Sequence, residues 1–480
     1  MNDRKGFGSN FGFLMAAVGS AVGLGNIWGF PNKMGANGGF PFLILYLALA
    51  LCCGVIIMLG ELALGRKTGH GAVGAYQSIS KRFKWLGWLG IAAAALIFSF
   101  YSALGGYCLR YVVVNFGNLI GAEFGTNGVG GADVFQGLLS QPDVSIAFAL
   151  AFMLITMLVV MSGVGGGIER VCSVGMPALF FILIICIIRS CTLPGAADGL
   201  KYMFVPGWAV ANGIIDEAPG FWRVLTAAGG QMFFSLSLGA GVMITYGSYL
   251  DKKQDLGKST MIIVGMDTVV ALMAGLCVIP GRFALDPNGA LGGPELLFIT
   301  MQNVFDKMGP AGPVFGILFY LLVFFAAISS SISMLEVIVA HFCEKAREKG
   351  KGDRRKLYSA IAVVICAALC ALVCADGMGS NHISPAELLG LAGAKLPGWS
   401  TSWLGLFDSV AEGLLMPLGA LLMCLMISWE LKPDALRQEI LLNGENRPWV
   451  YDFFRLCVKY ITPLCMLMIL YGQISDFFIV

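Results

Sequence analysis

The stretch AVGSAVGLGNIWGFP, residues 17–31, lies inside the first long apolar segment of the chain and carries four glycines, a serine and an asparagine. If this segment spans a lipid bilayer, each unpaired backbone group is costly, so a helix unwinds there only where it lines a cavity or binds a ligand. We expect residues 20–25 to unwind, leaving carbonyls that suit a small cation and amides that suit an anion such as a carboxylate. Close helix packing through small residues is the alternative, but Asn26 and Pro31 favour a binding site.

The composition of the whole chain places this segment in a membrane. Of its 480 residues, 57% are hydrophobic and 12% are charged, whereas a soluble domain is about one-quarter charged. The apolar runs approach the ~20 residues that a membrane-spanning helix requires. The sequence therefore predicts an all-α polytopic membrane protein with about eleven transmembrane helices. Their approximate ranges are 11–37, 41–65, 87–120, 146–162, 168–188, 220–249, 258–280, 312–343, 357–375, 402–429 and 452–474.

Basic residues indicate how the chain is oriented in the membrane. With the N-terminus inside, the predicted inner segments hold 21 of the 31 lysine and arginine residues, as the positive-inside rule requires. We predict a multi-pass protein of the cell (inner) membrane with a cytoplasmic N-terminus, and eleven helices would place Val480 outside. The first apolar run lacks a convincing signal-peptide cleavage site, so we expect it to be retained.

The remaining composition narrows the function classes. A net charge of +2 offers no field for nucleic acid. The fourteen cysteines contain no CxxC pair and the three histidines share no ligand spacing, so the sequence predicts neither a zinc site nor a catalytic triad. We therefore expect a protein that is not an enzyme and whose partners are the lipid bilayer and a small molecule. The sequence leaves the oligomeric state open.

A second interruption lies in the sixth apolar segment, GQMFFSLSLGAGVMITYGSY, residues 230–249. Breaks in the first and sixth segments are typical of a five-plus-five inverted repeat that binds its substrate between the broken helices. We predict a first repeat over 1–190 with helices 1–5 and a second over 191–430 with helices 6–10. Residues 431–480 would then form an additional C-terminal helix 11.

Five ordered motifs give the chain a family resemblance, which covers essentially its whole length. They are GSAVGLGNIWGFP (19–31), GELALGR (60–66), GIERVCSVGMP (167–177), GQMFFSLSLG (230–239) and FFAAISSSISMLE (324–336). Together they resemble the bacterial branch of the neurotransmitter:sodium symporter family, with the leucine-transporter (LeuT) fold. The resemblance implies a sodium-coupled symporter that imports a neutral, hydrophobic or aromatic amino acid by alternating access. The same fold carrying an amine or other organic solute, and a receptor-like or channel-like protein, are the alternatives.

The resemblance also implies that two sodium ions bind with the substrate. Sodium is a hard cation that prefers oxygen ligands, and the matching positions offer only oxygens. The first ion would be bound by Ala21 through its carbonyl, Asn26, Ser235 and Asp267, with the substrate carboxylate completing the shell. The second would be bound by the carbonyls of Gly19, Val22 and Ala326 and the hydroxyls of Ser329 and Ser330. These serines could instead bond back to their own helix.

For the substrate, the resemblance implies that the amides of Gly23 and Gly25 and the hydroxyl of Tyr101 contact an α-carboxylate. Family members that carry amines without a carboxylate have an aspartate at the position of Gly23, so a free acid fits this chain better. The other substrate-contacting positions are small or mostly apolar, and therefore suit a sizeable hydrophobic or aromatic side chain. They are Ala21, Ile97, Phe234, Ser235, Ser237, Ala240, Ser330 and Met334.

Gate residues follow from the same resemblance, with one departure. Asp408 matches the outer-gate aspartate, and Arg4 and Glu344 match an inner latch close to Tyr249. The usual arginine partner of the outer aspartate is replaced by Gly29, in NIWGFP. A buried carboxylate without a partner is costly, so we expect Asp408 to stay hydrated or to find another donor.

Asp267 should make transport independent of chloride. Two sodium ions and a zwitterionic substrate leave a surplus positive charge that requires a nearby anion in a low-dielectric site. The resemblance implies that the Asp267 carboxylate supplies this anion, with Ala271 standing where a chloride-binding serine would be. We expect sodium-driven uptake to be unchanged when gluconate replaces chloride. Uptake that collapses in gluconate would show that this carboxylate is not a sufficient anion.

Overall fold

The regular structure of the described chain is helical throughout. The structure is a computed structural model that describes residues 7–126, 128–293, 295–391, 396–431, 434–441 and 448–478. The helices that build the bundle are α1 (Asn10–Ala21), α2 (Gly25–Ala36), α3 (Phe40–Thr68), α4 (Lys81–Ile120), α5 (Pro142–Met161), α6 (Val164–Cys191), α7 (Phe221–Leu236), α8 (Val242–Gly247), α9 (Leu256–Leu285), α10 (Gly309–Glu348), α11 (Arg355–Asp376), α12 (Trp403–Leu431) and α13 (Trp449–Ser475).

Shorter helices connect these elements at both ends of the bundle. They are Ala72–Ile79, Gly131–Leu139, Ala196–Phe204, Trp208–Ala211, Leu296–Thr300, Met301–Asp306, Pro385–Leu388 and Asp434–Leu441. We refer to the end that carries the start of α1 as the inner side and to the opposite end as the outer side, following the predicted orientation.

Both predicted breaks are present in the structure. The first span bends by 45° between α1 and α2, and residues 22–24 are the ones between the two helices, a shorter break than the predicted 20–25. In the sixth, α7 ends at Leu236 and α8 begins at Val242. The linker between them has left-handed backbone at Gly239 and Gly241, with φ of 79° and 72°, a conformation that glycine adopts without a steric penalty. The glycines of the sixth segment are therefore required by the path of the backbone.

The number of membrane crossings does not follow directly from the number of helices. In the described residues, nine helices are long and apolar enough to cross a bilayer, and the α1–α2 pair passes the same test as one bent span. Each of the eleven predicted ranges overlaps one of the bundle helices or a broken pair. The polytopic all-α fold is confirmed, while the count of eleven and the inverted repeat stay predictions.

The interior is built around two long helices. α4 and α10 are each 40 residues long and pack along one another at the centre of the bundle. α6 lies at the periphery, where Val174, Phe181 and Ile188 are exposed at intervals of seven residues. An exposed apolar stripe of this kind suits a lipid-facing helix surface. The outside of the bundle is therefore apolar, while several polar side chains lie inside it.

Gly65 and Gly247 let α3 and α8 pack backbone to backbone. A Cβ added at Gly65 would overlap the carbonyl oxygen of Ile244 and lie 3.0 Å from the Ser248 nitrogen. A Cβ at Gly247 would lie 2.6 Å from the Leu62 carbonyl oxygen. Because the obstacles are backbone atoms, they cannot rotate away as side chains can.

Replacing Gly65 with alanine should therefore destabilise the protein. We expect the free energy of unfolding to fall by about 1–3 kcal/mol, as is usual when a core is overpacked. The measurement is the melting temperature in detergent, which should be lower. Gly175→Ala on the exposed surface of α6 is the matched control, since a Cβ there meets nothing within 4 Å. Equal melting temperatures for Gly65→Ala and Gly175→Ala would contradict this packing account.

Candidate functional site

The two broken spans meet at their unwound segments. The Ser237 hydroxyl donates to the Ser20 carbonyl at 3.0 Å. The Gln231 amide nitrogen donates to the Gly25 carbonyl at 2.6 Å. A Cβ at Gly25 would lie 3.2 Å from the Cα of Ser235 and 3.0 Å from the Phe234 ring. The glycine in this position allows the two segments to come this close.

Asp267, on α9, is the centre of the first predicted sodium group. Its carboxylate accepts hydrogen bonds from the Asn26 amide at 2.7 Å and from the Ser235 hydroxyl at 2.9 and 3.0 Å. Ala21 ends α1 and is buried. The structure thus brings the side chains of Asn26, Ser235 and Asp267 together from three separate segments of the chain.

Tyr46, on α3, also belongs to this group and was missed by the sequence analysis. Its hydroxyl donates to Asp267 Oδ2 at 3.2 Å. Both residues are fully buried. A single tyrosine in the apolar run of α3 carries no local pattern that would mark it as a partner of Asp267.

The buried negative charge of Asp267 would be balanced by a nearby cation. Within the described part of the chain, no lysine, arginine or histidine forms an ion pair with it. Neutral donors stabilise a buried carboxylate only in part, and an uncompensated buried charge is expensive. A sodium ion beside Asp267 would supply the missing positive charge, and the oxygens of Asn26 and Ser235 suit its chemistry.

The second predicted sodium group is also brought together. The Ser329 hydroxyl lies 2.9 Å from the Ala326 carbonyl and 3.4 Å from the Val22 carbonyl. The Ser330 hydroxyl lies 3.4 Å from the Gly19 carbonyl and 3.5 Å from that of Val22. The five predicted oxygens therefore lie close to one another, between α10 and the end of α1.

The Ser20 carbonyl is a neighbour that the sequence analysis did not assign. It accepts from the Ser330 hydroxyl at 3.1 Å, as well as from Ser237. The Ser329 hydroxyl also contacts carbonyls of its own helix, while the Ser330 hydroxyl contacts carbonyls of the first span. Sodium binding by these oxygens stays a prediction.

Tyr101 and Gly23 lie where the substrate was predicted to bind. The Tyr101 hydroxyl accepts from the Leu24 N–H at 2.8 Å, and its ring meets that of Phe234 edge to face at 6.3 Å. A Cβ at Gly23 would lie 2.5 Å from the Tyr101 hydroxyl oxygen. The Gly23 N–H donates to Asn26 Oδ1 at 3.0 Å, so in this structure it supports the first sodium group rather than standing free for a carboxylate.

The remaining predicted substrate positions are buried as well. Ile97 is on α4, Met334 is on α10, and Ala240 lies in the linker between α7 and α8. Gly90 packs against the Ala240 backbone, since a Cβ there would lie 3.1 Å from the Ala240 carbonyl. The side chains at Ile97, Met334 and Ala240 are apolar, and their contact with a substrate stays a prediction.

The described inner-gate residues, Glu344 and Tyr249, form hydrogen bonds to neighbouring elements. Arg4 lies outside the described residues. Glu344 accepts from the Gly71 N–H at 2.7 Å. Tyr249 donates to Glu336 at 2.6 Å, and Glu336 forms a two-point ion pair with Arg355 at 2.5 and 2.9 Å. The sequence analysis missed the Glu336–Arg355 pair. Residues 345–356 contain seven lysine and arginine residues, and no local pattern shows which of them points into the bundle.

At the outer side, the Asp408 carboxylate has charged neighbours. Glu412 follows it by one helical turn on α12, and Lys33 of α2 lies within electrostatic range. Lys33 forms an ion pair with Glu412. The expectation that Asp408 finds another donor thus has a candidate in Lys33, which the sequence analysis did not single out.

Comparison with known proteins identifies the family. A model described as the sodium:neurotransmitter symporter family matches residues 4–127 and 132–478. The chain belongs to this family. It is 36% identical over 477 residues to YhdH of Bacillus subtilis (strain 168), described as an uncharacterized sodium-dependent transporter, covering 97% of each chain. It is 28% identical to an uncharacterized sodium-dependent transporter of Haemophilus influenzae, again covering 97% of each chain.

A solved structure shows the same architecture. The crystal structure of MhsT in complex with L-phenylalanine superposes with a TM-score of 0.83 at 34% identity, covering 98% of this chain and all of the other. The predicted leucine-transporter fold is confirmed. This member of the symporter family is a multi-pass membrane protein for sodium-dependent transport, and its relatives are transporters rather than enzymes.

The second sodium group should depend on its hydroxyls. In a Ser329→Ala/Ser330→Ala double variant, we expect the sodium concentration for half-maximal thermal stabilisation to rise at least about tenfold, because a desolvated cation loses two ligands. Ser331→Ala is the matched control, since this hydroxyl bonds to Ile328 and Thr156 instead. An unchanged sodium dependence in the folded double variant would refute the assignment.

Proposed function

We propose that this protein is a sodium-coupled secondary active symporter that imports a neutral, hydrophobic or aromatic amino acid by alternating access. The observation that carries this proposal is the combination of a buried Asp267, which pairs with no lysine, arginine or histidine among the described residues, with a glycine at position 23, beside two unwound helix segments. The acid favours sodium, and the glycine places no acid of the protein beside a substrate that brings its own carboxylate.

The glycine at position 23 argues against an amine as the main cargo. Position 23 carries no acid that could pair with an amine, and a Cβ there would already lie 2.5 Å from the Tyr101 hydroxyl oxygen. Asp267 is already engaged by Asn26, Ser235 and Tyr46. A substrate carboxylate next to the first sodium ion would complete the ion's shell and couple the two binding events.

The apolar surroundings support a hydrophobic or aromatic side chain. Ile97, Phe234 and Met334 are buried and present no charge, and Ala240 is small. The solved relative MhsT was crystallised with L-phenylalanine, which makes this amino acid the first candidate to test. Apolar pockets with a few fixed polar groups are the usual form of small-molecule sites.

The proposal includes the ions and the placement in the membrane. Two sodium ions would bind, one in each oxygen group, and no chloride would be required because Asp267 supplies the anion. The protein would lie in the inner membrane with a cytoplasmic N-terminus. Residues 1–190 and 191–430 would be the two inverted repeats, followed by the helix of 431–480.

Uptake in proteoliposomes tests the proposal. We expect an inward sodium gradient to drive accumulation of radiolabelled L-phenylalanine, and an imposed potassium gradient to drive none. Excess unlabelled L-phenylalanine should compete, whereas phenethylamine, which lacks only the carboxylate, should not. Asp267→Asn should abolish sodium-driven uptake, because the buried positive charges lose their counter-ion.

Three other outcomes would each contradict the proposal. Competition by phenethylamine without competition by any amino acid would favour the amine carrier. Sodium-dependent binding without accumulation would favour a receptor-like protein. Full uptake by Asp267→Asn would remove the first sodium group from the mechanism.

A further inference from the structure

An ion pair joins the outer half of the first broken span to α12. Lys33 lies on α2 and Glu412 on α12, 379 residues apart, and their side chains are 24% and 8% exposed. Glu412 is therefore largely shielded from water, and Lys33 is only partly exposed. Screening by salt is weaker for such a pair than for one on the open surface.

The pair lies directly outward of the candidate substrate site. A Cβ at Gly230 would lie 3.0 Å from Glu412 Oε1 and 3.6 Å from Lys33 Nζ. Gly230 precedes Phe234 on α7 by four residues, which is about one helical turn, and the Phe234 ring contacts Tyr101. The two charged groups thus meet one turn above the aromatic pair, where α2, α7 and α12 converge.

The contacts of Gly29 favour a basic side chain at residue 33 over one at residue 29. A Cβ at Gly29 would lie 3.0 Å from Gln231 Oε1, while the amide nitrogen of Gln231 donates to Gly25. A long side chain at 29 would displace this neutral bridge between the broken spans. Lys33 follows Gly29 by four residues and so emerges on the same face of α2, one turn further out.

The local charge count makes Lys33 important. Asp408 and Glu412 are one turn apart on α12, and Lys33 acts electrostatically on Asp408 and pairs with Glu412. Gln231 of α7 and Gln473 of α13, which also lie here, are neutral, while Arg223 of α7 donates to the Ala36 carbonyl at the end of α2. Without the ammonium group, the largely buried Glu412 carboxylate would lose its charged partner, and the attraction that holds α2 to α12 would be lost.

We propose that the Lys33–Glu412 ion pair is the closing contact of the outer side, and that it controls how readily α2 and α7 separate from α12 to admit or release solute. In this assignment Lys33 and Glu412 are positioning residues that act through the seam and do not touch the substrate. The assignment of a transport path rests on the proposed function, but the contact itself can be tested without any cargo.

Hydrogen–deuterium exchange of the purified full-length protein, in sodium and without substrate, tests the closing contact. In Lys33→Gln and Glu412→Gln we expect amide exchange in residues 25–36 and 221–236 to be at least about threefold faster, because local opening is easier when the pair is lost. The charge-swapped double variant Lys33→Glu/Glu412→Lys keeps the same charge count and should return exchange toward the wild-type rate. Lys33→Arg should behave like the wild type.

A second measurement follows ligand release. Removing one partner of a shielded charge pair acts mainly on dissociation rates, so bound radiolabelled L-phenylalanine should leave either single variant about tenfold faster than the wild type. Lys201→Gln is the matched control, because Lys201 pairs with Asp198 on the exposed outer surface. It should change neither readout.

The outcomes separate the two proposals. Wild-type exchange rates in both single variants, or a charge swap that fails to restore the rates, would overturn the closing contact. If a glutamine variant fails to fold, the charge-swapped variant is compared with Lys33→Arg instead. Wild-type exchange in the folded charge-swapped variant would support the pair, and faster exchange in it would reject the pair. If the wild type does not bind L-phenylalanine in sodium, the proposed cargo fails, while the exchange data still test the contact.

Discussion

The structure depends on one constraint, which is that backbone groups freed by an unwound helix inside a membrane must find new partners. Side chains from other helices supply them. The Tyr101 hydroxyl of α4 accepts from the Leu24 N–H after the first break, and the Glu61 carboxylate of α3 accepts from the Gly239 N–H at 2.7 Å in the second. The breaks are therefore stable only when α3 and α4 are packed around them, so the site and the fold form together.

The buried carboxylate of Asp267 gives this arrangement its chemistry. Its donors are the neutral groups of Asn26, Ser235 and Tyr46, which orient the carboxylate without cancelling its charge. A cation is the most direct way to balance that charge. Because Asn26 and Ser235 belong to the two broken spans, an ion bound here would hold both breaks in one geometry, which physically links ion binding to the shape of the neighbouring substrate site.

Ion pairs lie on both sides of this centre. Lys33 and Glu412 meet toward the outer side, while Glu336, Arg355 and Tyr249 meet toward the inner side. The first set connects α2, the outer part of the first broken span, to α12. The second connects Tyr249, which follows α8, to α10 and α11. Charged contacts of this kind can separate into water at one end while the apolar centre of the bundle remains packed.

The local sequence determined the positions of the two breaks and the all-α membrane fold, because glycine and serine interruptions of apolar helices are readable from a short window. The residues of the two proposed sodium groups came from the family resemblance instead. Only the tertiary structure decided that Tyr46 supports Asp267 across 221 residues and that Lys33 pairs with Glu412 across 379. The physical reason is that such pairs form between surfaces on different helices, and their rotation and depth are set by packing. A tyrosine or lysine in an apolar stretch looks the same whether it contacts lipid, water or a buried carboxylate.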